Sequence, residues 1–223
     1  MKVLVNKRIL LSNIEKAQSL AGQSAISIML KSFYEYIGEL LPANITVFSK
    51  ELEGTICYSI KNSKPYHKGA VVVDIHDAES SYFQNGIKIF YIPINSGDNR
   101  EGLTTKNALE LARRINKAGD VNCIAMITSG CINEFHLSYK KLCDLWKQIN
   151  KDFSGISLGG SFYLQKKIPS FITEVRIGEY MLFGTIPYSN EVARFGVNAI
   201  RVEMDVVSVF KERKQIIVRG GYE

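Results

Sequence analysis

Hydrophobic and polar positions follow two periods along this chain. Short apolar runs recur, and between several of them lie longer stretches in which apolar residues stand three and four apart with charges between. The first pattern predicts buried strands and the second amphipathic helices. Strands are expected over Ala25–Leu30, Ile45–Phe48, Thr55–Ile60, Ala70–Ile75, Ile87–Ile94, Cys123–Thr128, Gly155–Leu158 and Glu174–Ile177. Helices are expected over Lys7–Ala21, Thr105–Lys117 and Tyr139–Phe153. Strands alternating with helices imply a parallel sheet with crossover connections, the α/β class. Eight strands are what a closed (β/α)8 TIM-type barrel requires. The elements crowd together after Lys31, so the barrel is expected to be abbreviated between residues 32 and 70. Beyond Gly184 the period changes. "AIRVEMDVVSVF" alternates, "ERK" turns and "QIIVRGG" returns, which predicts a β-hairpin with no helix behind it. The expected organisation is a barrel over residues 1–190 and a short β appendage over 191–223.

Composition narrows the class. The chain has 223 residues, 46% of them hydrophobic, enough to bury a full core without a disulfide or metal. Its four cysteines, Cys57, Cys123, Cys131 and Cys143, form no Cys-x-x-Cys pair, and three histidines accompany them, so no metal site is expected and reduced thiols in a cytoplasm are. No apolar run approaches the length of a membrane span, and the amino terminus lacks a signal-peptide core. The formal charge of +6 is spread along the chain, and its densest stretch, Lys211-Glu212-Arg213-Lys214, is broken by an acid. That argues against nucleic acid and fits an anionic small ligand as well as a solvated surface.

Candidate chemistry gathers where predicted strands end, the edge at which α/β sheets and barrels bind ligands. Lys31 ends "AISIMLK". "NSGDNREGL" follows the fifth strand and carries Asp98 and Arg100 between glycines; "TSGCINE" follows the sixth and carries Cys131. "SLGGSF" and "VRIGE" close the last two. Gly159-Gly160-Ser161 and Gly178-Glu179 have the composition of loops whose backbone N–H groups cradle phosphate. Each has an ordinary reading too: a snorkelling lysine, a Gly-Gly-Ser turn, a surface ion pair, a small packed cysteine. Their order and placement together carry more than any one of them.

Taken in order, "LSNIEKAQSL", "SIMLK", "SGDNREGL", "TSGC", "ISLGGSFYL" and "TEVRIGEYMLFG" resemble the pyridoxal-phosphate-dependent amino-acid racemases of the alanine-racemase barrel, and most closely an ornithine-racemase-like branch. The resemblance implies a pyridoxal 5'-phosphate enzyme that abstracts and returns the α-proton of an amino acid held as a Schiff base. It places Lys31 at the family's cofactor-bearing lysine and Arg176 at the arginine facing the pyridine nitrogen, where a guanidinium keeps its proton. Arg100 stands at the arginine near the phenolic oxygen. Gly159, Gly160, Ser161, Ile177, Gly178 and Glu179 stand at phosphate-holding positions. Glu35 replaces a family tyrosine, with Tyr34 and Tyr36 beside it. Full-length members carry a C-terminal β domain that supplies a tyrosine base to the partner's site, and this chain shows only opening strands; Cys131 is the candidate for the second base. A homodimer, or a partner chain completing the site, is expected, with an amino acid as substrate. The alternative is a non-catalytic or partner-dependent protein that carries pyridoxal phosphate.

Overall fold

The computed structural model describes residues 2–30, 40–41, 46–50, 58–61, 70–72, 88–95, 102–127, 138–186 and 198–219. Its helices begin where short polar side chains cap them. Asn6 accepts from the Ile9 amide at 3.1 Å to open α1 (Lys7–Ala21), Thr104 from Asn107 at 3.2 Å to open α2 (Thr105–Ala118), and Ser138 from Lys141 at 3.3 Å to open α3 (Tyr139–Ile149). The predicted third helix therefore stops at Ile149, short of Phe153.

The strands are β1 (Lys2–Val5), β2 (Ala25–Leu30), β3 (Thr46–Lys50), β4 (Tyr58–Lys61), β5 (Ala70–Val72), β6 (Ile89–Ile94), β7 (Asn122–Ile127), β8 (Gly155–Gly159) and β9 (Ile172–Ile177), followed by a small C-terminal set. Eight of them form one sheet in the order β4-β3-β2-β9-β8-β7-β6-β5. Every neighbouring pair is parallel except β3 with β4. That corrects the expectation of a uniform (β/α)8 sheet at its third strand, and chain length is the reason. Seven residues separate Lys50 from Tyr58, whereas a parallel return needs a crossover of about a dozen. The end strands β4 and β5 bring Cα atoms within 8 Å of each other without ladder hydrogen bonds.

The carboxyl-terminal expectation is met by a hairpin, β11 (Val206–Phe210) with β12 (Gln215–Val218). It leaves Val206, Val207, Val209, Phe210, Ile216 and Ile217 exposed. The preceding strand, β10 (Ile200–Glu203), pairs antiparallel with β1, a strand not anticipated at all.

Side chains alternate between two sides of the main sheet. Ile26, Ile28, Phe90, Ile92, Ile94, Cys123, Ala125, Ile127, Ile156, Leu158, Val175 and Ile177 join α1, α2 and α3 in the main core. Val72, Tyr91 and Met126 form a separate cluster with Ile89 and Ile124 on the other side. Cys123 lies against Asn116 Oδ1 at 3.3 Å, and burial, with Asp152 second, pushes its thiol up to about 12. It is a packed residue, not a nucleophile.

Short α4 (Glu179–Phe183) sits against α1, where Asn13 Nδ2 donates to Met181 O at 3.1 Å. Tyr180 is fully buried there, and its hydroxyl has no hydrogen-bond partner among the described residues. Tyr180→Phe should therefore raise stability by about 1 kcal/mol, measured as a higher urea midpoint, because an unpaired buried hydroxyl is a cost. Burial also raises the phenol's pKa. A group whose folded pKa is raised loses its stabilisation as pH climbs past its unfolded value, about 10 for tyrosine. The gap between variant and wild type should thus widen above that pH; a destabilised variant would show a partner for the hydroxyl.

Candidate functional site

The site begins with the two-residue period of β9. In "ITEVRI" Val175 and Ile177 belong to the helix-facing core, so Glu174 and Arg176 project to the other side, and both are buried, 6% and 1% exposed. A local irregularity decides what they meet. Between β8 and β9 the register shifts after Ile156, so that Ser157 stands opposite Glu174. Gly155 leaves room for this: a Cβ there would meet Thr173 Cγ2 at 2.3 Å. A bulge of this kind re-aims the residues that follow it.

The result is a connected chain of polar contacts. Arg176 Nη1 donates to the carbonyl and to the hydroxyl of Ser157, both at 2.7 Å, and Nη2 donates to Ile127 O on β7 at 2.6 Å. The Ser157 hydroxyl donates to Glu174 Oε1, and Tyr91 on β6 donates to Oε2 at 3.2 Å. Burial first, then the Glu174 carboxylate, hold the Tyr91 phenol well above its ordinary range, with Arg176 pulling the other way. Phenol and serine are thus neutral donors, and the carboxylate is their acceptor. Ser27 on β2, in register with Arg176, is wholly buried, and its hydroxyl has no partner among the described residues.

At the carboxyl ends of β8 and β9 two loops meet. Gly160, at φ +105°, opens the 3₁₀ turn Ser161–Gln165, in a backbone region other residues rarely adopt, and its amide donates to Arg176 O at 2.9 Å. Buried Ser161 accepts from the Tyr180 amide at 3.2 Å through its Oγ, tying the first loop to the one Gly178 begins. The Glu179 carboxylate accepts from Thr185 Oγ1 at 3.1 Å. Ile177 buries its side chain in the main core.

The structure therefore brings together Gly159, Gly160, Ser161, Arg176, Ile177, Gly178 and Glu179. Lys31, Arg100 and Cys131 lie outside the described residues, as does most of "SGDNREG". The residues flanking that last stretch are described: Asn95 N donates to Leu103 O and Leu103 N to Pro93 O, each at 2.9 Å. Tyr91, Ser157 and Glu174 were missed as site residues. The signal for Glu174 was present, a carboxylate two residues from Arg176 in an otherwise apolar strand. Among the described residues no group of three or more His, Cys, Asp or Glu could hold a metal ion, and no helix is long and apolar enough to cross a membrane.

No family model and no curated protein matches the chain. Solved structures do. The alanine racemase of Acinetobacter baumannii superposes with a TM-score of 0.62 at 15% identity, over 93% of this chain and 68% of that one. The biosynthetic alanine racemase of Pseudomonas aeruginosa gives 0.61 at 16% identity over the same shares. The Bartonella henselae alanine racemase, solved with covalently bound pyridoxal phosphate, gives 0.61 at 14% identity, again over 93% and 68%. The chain has the α/β fold of the alanine racemases.

Proposed function

We propose that this chain holds pyridoxal 5'-phosphate on Lys31 and racemises or epimerises an amino acid, as a member of the ornithine-racemase-like branch. The observation that carries this reading is the buried Arg176 guanidinium, fixed by three hydrogen bonds, on a residue whose carbonyl holds the Gly160 amide of the Ser161–Tyr180 junction, in a fold shared with a pyridoxal-phosphate protein. The donor set fits that group. A permanently charged arginine suits a ring nitrogen, the Ser27 hydroxyl, with no partner among the described residues, lies on the same side, and Ser161 with the loop backbone suits a phosphate dianion.

When bound, the cofactor withdraws electrons from the amino acid's Cα and so acidifies its proton. The chain's residues do the rest. Arg176 cannot release its own proton, which keeps the ring a restrained electron sink. Ser161 and the backbone of Gly160, Gly178 and Glu179 hold the phosphate, and Arg100 takes the phenolic oxygen. Lys31 moves a proton on one face of the substrate and Cys131 on the other. The barrel of residues 1–190, the appendage of 191–223, a cytoplasmic setting and a dimer or partner chain are parts of the same proposal.

Protein supplied with the cofactor should be yellow and should trap a borohydride-stable adduct, and Lys31→Ala should lose both. Wild type showing neither would refute the reading. A bound cofactor with no α-proton exchange from any amino acid in deuterated solvent would instead favour a carrier.

A further inference from the structure

A buried carboxylate is an expensive way to fill the inside of a sheet, since apolar residues of the same volume are as good or better for stability. Glu174 nevertheless occupies a buried place opposite Ser157, with hydroxyl donors on both oxygens. Its effect is on the direction of hydrogen bonds. A serine hydroxyl has one proton. Because Glu174 takes that proton, the Ser157 oxygen must present its lone pairs elsewhere, and Arg176 Nη1 is what they meet at 2.7 Å. Tyr91 holds the second carboxylate oxygen and stops the carboxylate from turning. The polarity runs one way, from Arg176 to Ser157 to Glu174, with Tyr91 donating to the other carboxylate oxygen, and bonds ordered in this manner strengthen one another.

We propose that Glu174 is the positioning residue of the site: acting through Ser157, it sets the plane of the Arg176 guanidinium and supplies the negative charge that compensates it. The inference rests on the assignment of Arg176 to the cofactor's ring. The titratable side chains described on this side of the sheet are Tyr91 of β6 and Glu174 and Arg176 of β9. With Tyr91 protonated, Glu174 is a buried negative charge near the guanidinium. Its removal strengthens the positive field on this side of the sheet, which disfavours any protonated group held close by.

Two readouts test this, one with the cofactor and one without. In loaded protein, Glu174→Gln should lower the pH midpoint at which the visible band titrates by about 1 unit, as expected for loss of a nearby opposite charge. Ser157→Ala should lower cofactor affinity about tenfold, the effect of one charge-assisted bond. Ser157→Thr, which keeps the hydroxyl, should restore wild-type behaviour. In cofactor-free protein labelled with ¹⁵N-arginine, exchange of the Arg176 guanidinium protons should accelerate at least tenfold in Glu174→Gln and less in the milder Tyr91→Phe. A loaded Glu174→Gln whose titration overlays wild type, or an exchange rate unmoved by either variant, overturns the proposal. Accelerated exchange in a wild-type background that shows no visible band would sink the cofactor assignment and leave the positioning role standing.

Discussion

Arg176→Leu is expected to cost about 3–5 kcal/mol, because it takes a buried positive charge from beside the buried Glu174 carboxylate. The guanidinium also serves as the tie between three strands: it starts on β9, bonds twice to Ser157 on β8 and reaches Ile127 O on β7. Leucine can fill some of the space but donates nothing, so two carbonyls and a carboxylate lose a charged donor or partner together. The measurement is urea unfolding of Arg176→Leu, Glu174→Leu and the double variant. The double variant should recover most of the loss, since two apolar residues carry no buried charge. A single-variant loss below about 1 kcal/mol would show that water reaches Glu174 and that the network is far less enclosed than its burial indicates.

Gly102→Ala is expected to cost about 2–4 kcal/mol, from an unfavourable backbone angle and a steric clash together. Gly102 has φ +134°, and a Cβ there would meet Asn95 N at 2.7 Å and the Ile94 carbonyl carbon at 2.9 Å. Both are backbone atoms at the end of β6, and neither can swing aside as a flexible side chain could. The paired bonds that close the stretch from Pro93 to Leu103 would have to open. Gly119→Ala is the control: its backbone is extended and a Cβ would meet nothing within 4 Å. Hydrogen exchange at the Asn95 amide should quicken in the first variant and stay unchanged in the second. Equal urea midpoints for the two would show that the loop relaxes freely.

Much of this architecture was legible because local signals agreed. Asn6, Thr104 and Ser138 stand just ahead of apolar stripes, and the helices start there. The runs at Ala25, Ile89, Asn122, Gly155 and Ile172 are too short for helices and are strands. The reversal of β4 was not legible in its own residues, since a strand's direction is set by the length of chain before it. Nor was β1, four residues whose partner, Ile200–Glu203, lies far along the chain. At the site, Arg176 and the glycine-serine loops could be read from type and spacing. Ser157 could not, because its meeting with Glu174 depends on a one-residue register shift that composition does not record.

The pairing of β1 with β10 bears on how the molecule forms in time. Lys2–Val5 is synthesised long before its ladder partner Ile200–Glu203, and the Asn6 amide waits for Ala199 O, 2.8 Å away in the finished fold. During synthesis α1 can coil and β2 can collect neighbours while β1 stays without its mate until Ile200–Glu203 has emerged. Contacts so distant along the chain are slow to close and come late. Until that partner emerges the nascent protein carries an open edge of valine and leucine at β1, and this is where early chaperone contact or misassembly would fall.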